Sequence, residues 1–69
     1  MEPRFLSLAD VAETLNLSVQ GVRSLVRTGE LEAIQVGGRK IWRVERSKLE
    51  EYIAARYAEQ AELRAEQTA

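Results

Sequence analysis

Two short apolar repeats at helical spacing follow one another in "LSLADVAETLNLSVQGVRSLVRTGEL", residues 6–31, with a three-residue break between them. Ser7 stands at an N-cap position, and Asp10, three residues on, can return a hydrogen bond in a capping box. Leu8, Val11, Ala12 and Leu15 then recur at helical period, so a first helix is expected over 8–15. Asn16 interrupts it. Asn tolerates the left-handed conformation better than most residues, which suits a tight turn. Ser18 caps a second helix over 19–28, with Val22, Leu25 and Val26 as its buried stripe and Gly29 as its stop. Leu6 with Val11, and Leu17 with Val22, occupy hydrophobic-staple positions. Two helices this short on a turn this tight form a helix-turn-helix, with small Ala12 where they touch.

The period changes in "AIQVGGRKIWRV". Two Ile- and Val-containing runs flank Gly37-Gly38, a strong two-residue hairpin signal, so strands are expected over 33–36 and 39–43 with Arg39 and Lys40 at the tip. The following "VERSKLEEYIAARYAEQAELRAEQ" lacks Pro and Gly and is rich in Ala, Glu, Arg and Leu, the composition of a helix. Leu49, Tyr52 and Ile53 are its expected core face, and beyond Tyr57 the apolar residues thin to Ala61 and Leu63. The expected fold is mainly α with a small β-hairpin: a winged helix-turn-helix in the order α-turn-α-β-hairpin-α. Residues 1–5 read as a tail whose end, with Leu6, tucks under the domain; residues 6–57 form the domain. Residues 58–69 read as a helical extension that frays, since Leu63 and a few alanines fall far short of sustained heptads.

Composition narrows the chemistry. Sixty-nine residues hold one small core and no second domain. With 45% hydrophobic and 30% charged residues the balance is that of a soluble globular domain. No apolar run approaches a membrane span, and "MEPRF" carries an acid and no apolar core stretch, so no signal peptide is expected and the location is cytoplasmic, on the nucleoid. There is no cysteine and no histidine. This excludes a disulfide staple, a zinc site built on those ligands and His-based acid–base catalysis. The acids make no obvious paired site and no P-loop is present, so neither an enzyme nor a cofactor is expected.

Net charge is −1, yet the charge is unevenly placed. Residues 1–22 carry net −2 and residues 49–69 net −3, whereas residues 23–48 carry net +4. A basic middle between acidic ends points to an anionic partner. On a helical wheel the far side of the second helix holds Gln20, Arg23, Ser24 and Arg27. A helix of that width fits the major groove of B-DNA, where Arg pairs bidentately with guanine and Gln with adenine. Ser18 and the first amides of this helix suit a phosphate. Arg39 and Lys40, with Arg43 behind them, suit backbone or a narrow minor groove. The expected partner is therefore double-stranded DNA. Trp42, Tyr52 and Tyr57 read as packing residues. Arg46 and Lys48 begin the third helix, the less favourable end for positive charge; a phosphate contact and plain solvation both fit.

Residues 5–55 resemble the small MerR-type winged helix-turn-helix domains grouped as the excisionase family. The resemblance is carried by "LSLADVAETLNLS", "VRSLVRTGEL", "VGGRK" and "LEEYI", over about three quarters of the chain. It implies DNA binding, with the second helix as recognition helix and "VGGRK" as wing. Gly21 departs from it: members often carry Thr there, so one phosphate or base contact is missing. Full MerR regulators add a long dimerisation helix and an effector domain; here no small-molecule effector domain is expected. One such domain covers about 600–1,000 Å² of interface, so dimeric or side-by-side cooperative binding on DNA is expected, from a protein that is monomeric when free. A transcriptional regulator is the leading role. An excisionase that bends DNA, and a protein-interaction module on the same fold, are the alternatives.

Overall fold

A computed structural model describes the backbone of residues 3–68 and the side chains of residues 3–65. The elements run β1 (Phe5–Leu6), α1 (Leu8–Leu15), α2 (Val19–Arg27), β2 (Ile34–Val36), β3 (Ile41–Glu45) and α3 (Arg46–Thr68). Three helices and a small antiparallel sheet in the order β1-β3-β2 make a winged helix-turn-helix.

The turn chemistry of the first half follows from local side chains. Ser7 Oγ accepts from the Asp10 amide at 3.0 Å while Asp10 Oδ2 accepts from the Ser7 amide at 3.1 Å, a closed capping box. Asn16 adopts φ 57° and ψ 45°, and the Leu17 amide reaches back to the Ala12 carbonyl at 2.8 Å. This left-handed cap satisfies the last carbonyls of α1 and turns the chain directly into α2. Ser18 Oγ then accepts from the Gly21 amide at 3.0 Å. Gly29, at φ +83°, closes α2, and the Leu31 amide donates to the Leu25 carbonyl at 3.1 Å, driving the Leu31 side chain into the core.

The core is Leu8, Val11, Ala12, Val22, Leu31, Val44 and Leu49, with Leu15, Leu25, Val26, Trp42, Tyr52 and Ile53 packed around it. Of the second staple pair, Val22 is fully buried and Leu17 is 46% exposed.

Two features depart from the expected hairpin fold. The loop has four residues rather than two. Val36 pairs with Ile41, and Gly37, Gly38, Arg39 and Lys40 form the turn, closed by the Lys40 amide on the Gly37 carbonyl at 3.2 Å. Gly37 (φ +72°) and Lys40 (φ +53°) take the left-handed positions, so β3 begins at Ile41 instead of residue 39. A shift of two preserves which side chains share a face, and Val44, near the end of β3, is fully buried. The second departure is β1. Phe5 and Leu6 pair with Glu45 and Val44, making the wing a three-stranded sheet. The strap is tied further by Arg4, whose Nε and Nη2 lie 2.9 and 2.8 Å from Glu45 Oε2, and by the Arg46 amide, which donates to the Arg4 carbonyl at 2.7 Å. Phe5, assigned to the tail by its sequence, thus stands in a strand; the tail's first two residues lie outside the described ones. The helix expected from the Ala- and Glu-rich run is one continuous element to Thr68.

Candidate nucleic-acid interface

The short turn at Asn16 fixes α2 against α1 through Val11, Ala12 and Val22, leaving the opposite side of α2 free. Gln20, Arg23, Ser24 and Arg27 are all exposed there. Ser18 is exposed too, but its Oγ already caps α2 through the Gly21 amide. A Cβ at Gly21 would sit 3.4 Å from Ser18 Oγ and 3.7 Å from Leu17 Cβ, ordinary contact distances, so the turn does not require a glycine here.

The wing rises beside this helix. Arg39 and Lys40 are exposed in its loop, and Lys40 holds a left-handed backbone that Gly or Asn would adopt more cheaply. Arg43 is half-buried, and its Nη1 donates to the Trp42 carbonyl at 2.8 Å, which holds the guanidinium against the sheet.

Between α1, the start of α2 and the wing lies a concavity of about 360 Å³. Arg23, Arg39, Lys40 and Arg43 line it, over Val19 and Trp42, and no acidic side chain does. Gln20, Ser24 and Arg27 lie outside it. Sequence reasoning missed Val19, which is 40% exposed and belongs to this cleft rather than to the core. By helical period Val19 falls beside Val26 on the Val22–Leu25–Val26 stripe, so periodicity gave no signal; its exposure follows from its place in the first turn of α2. Trp42, read as a packing residue, does pack against the core and also forms part of the cleft.

The electrostatic contrast with the rest of the surface is sharp. Arg4 pairs with Glu45, Arg56 with Glu59, and Lys48 with both Glu32 and Glu51. Arg46 Nε donates to the Pro3 carbonyl at 3.0 Å. Among the described residues, no carboxylate lies within ion-pairing distance of Arg23, Arg27, Arg39 or Lys40. For Lys48 the sequence leaves a phosphate contact and plain solvation open; the structure pairs it instead with its own carboxylates, and Glu32, then Glu51, holds its ammonium pKa above the usual lysine value. No helix among the described residues is long and apolar enough to cross a membrane, and no His/Cys/Asp/Glu cluster there could hold a metal ion.

No curated protein matches the chain. The helix-turn-helix domain family matches residues 5–57, which spans β1, both helices of the turn, the wing and the first half of α3. On that match, with which the observed winged helix-turn-helix fold is consistent, the chain belongs to the helix-turn-helix domain family, a DNA-binding and non-enzymatic kind.

Proposed function

We propose that this protein is a sequence-specific double-stranded DNA-binding regulator of transcription, with α2 in the major groove and the wing on the flanking backbone. The observation that carries the reading is the distribution of cations: Arg23, Arg39 and Lys40 line one cleft and Arg27 lies exposed on the same helix as Arg23, all without a carboxylate partner among the described residues, while Arg4, Lys48 and Arg56 are neutralised by carboxylates. Arg23, Arg39 and Lys40 gathered at one cleft repel one another, and a phosphate backbone is the polyanion that relieves this. Gln20, Ser24 and Arg27 supply the groups that distinguish base edges, and Arg39 and Lys40 supply charge without sequence information. The resemblance of "VRSLVRTGEL" and "VGGRK" to MerR-type domains supports the same division into recognition helix and wing.

A single domain of this size covers a few base pairs, so specific occupancy needs more than one copy on the DNA. The testing experiment is selection of bound duplexes from a random pool at moderate salt. An enriched motif is expected, its half-sites reporting how copies assemble: inverted for a two-fold dimer, direct for side-by-side binding. Recovery of no motif from folded protein over a range of salt would overturn sequence-specific recognition.

A further inference from the structure

We infer that Arg23, although it lies on the recognition helix, belongs functionally with the wing and clamps a DNA phosphate instead of reading a base. The inference rests on the DNA-binding reading and divides the labour within it. Two independent observations carry it.

The first is the helix itself. At about 100° per residue, Gln20, Ser24 and Arg27 fall within about 60° of one another, opposite the buried Val22 and the partly buried Leu25. Arg23 lies about 40° further round than Arg27, toward Val19. When the first three side chains point into a groove, Arg23 points at its wall. The second is the cleft. Arg23 lines it together with Arg39, Lys40 and Arg43, and none of Gln20, Ser24 or Arg27 does. Its floor includes Val19 and Trp42, which offer no donor array for reading a base edge, while its rim carries four cations and no acid. Four cations from two elements around one concavity attract the phosphate backbone, one negative charge per phosphate, and Arg23 joins α2 to the wing by gripping the same stretch of it.

The test compares the full chain with Arg23→Ala, Arg23→Lys and Arg27→Ala. Affinity is measured against salt on a short mixed-sequence duplex and on a duplex enriched by selection. For Arg23→Ala, binding to both duplexes should weaken by the same factor, and the slope of log affinity against log salt should fall by about 0.9, the value of one phosphate. Arg23→Lys should restore the slope and leave the ratio between duplexes at the wild-type value, because a phosphate accepts a point charge whereas bidentate guanine pairing needs the guanidinium fork. Arg27→Ala should lower the ratio. The sole tryptophan, Trp42, lies in the cleft, so its emission should change when either duplex binds. A wild-type slope in Arg23→Ala, or a ratio that collapses in both Arg23 variants, would overturn the inference while leaving DNA binding intact. Absence of binding by the wild-type chain to either duplex would overturn the DNA-binding reading and the inference with it. Arg23 is exposed and has no ion-pair partner among the described residues, so these variants are expected to fold, and coincident thermal melts check that they do.

Discussion

Lys40 carries a conflict between stability and charge. Its φ of +53° costs an L-residue about 1 kcal/mol relative to Gly. Replacing it by Gly should therefore leave stability unchanged or raise it by up to about 1 kcal/mol, while weakening DNA binding and flattening its salt dependence. Denaturant melts and salt titrations on one preparation separate the two effects, and an equal loss in both would mean that Lys40 is structural. Gly21 offers the reverse case. It sits within the first turn of α2, where Gly is less favourable than Ala, and a Cβ meets ordinary contact distances. Gly21→Ala should stabilise the domain by about 0.5–1 kcal/mol, read from the urea midpoint at constant slope. Loss of stability would show that the added methyl displaces the Ser18 cap. These local preferences were legible in the sequence: Ser7, Asp10, Asn16, Ser18 and Gly29 act through neighbours within a few residues, and each is found in its expected role. Lys40 was not legible in this way, because Gly37-Gly38 already offered a turn and nothing local says that a longer loop will be chosen.

At the scale of elements, the link between α2 and the wing is the short segment that carries Leu31. This side chain is 1% exposed, yet the apolar periods around it stop at Val26 and resume at residue 33, so no repeat marks it as core. Its burial comes from the backbone reversal at Gly29, which aims it beneath the sheet. Leu31→Ala should cost about 2–5 kcal/mol, a large part of what so small a domain possesses, and chemical denaturation would measure it. A loss below about 1 kcal/mol would mean that the segment collapses to fill the space. The same segment is tied to α3 by Glu32, whose carboxylate lies 3.3 Å from Lys48 Nζ, with Glu51 at 3.5 Å. Both carboxylates raise the Lys48 pKa above its usual 10.5, Glu32 more than Glu51. A folded-state pKa above the unfolded one means the contribution is fully present below about 10.5 and is lost as pH rises through the folded value. Lys48→Met should thus be less stable than wild type by a small constant amount between about pH 6 and 9, the two converging in strong alkali. A gap that widened with rising pH would contradict the pairing.

The whole molecule measures 52 × 27 × 18 Å, and its long axis reflects α3, whose 23 residues extend about 35 Å. Every described side chain from residue 58 to 65 is exposed, and the family match ends at residue 57. Removing residues 58–69 should therefore change stability by no more than about 1 kcal/mol, because little apolar surface is lost. Thermal melts of both lengths test this, and a large drop would place the extension within the folding unit.

What the chain determines by itself is whatever acts over a few residues: caps, a left-handed Asn, helical period, and the charge carried by each segment. These suffice for the helix-turn-helix and for the exposed face of α2. Tertiary structure alone decides the rest, since it brings together residues far apart in sequence. Phe5 and Leu6 become a strand only because Glu45 and Val44 offer an open edge some 40 residues later. Arg23 meets Arg39 and Lys40 in one cleft only because the core sets the angle between α2 and the wing. Backbone pairing and side-chain convergence across such separations depend on how the core closes, and no local periodicity encodes that geometry.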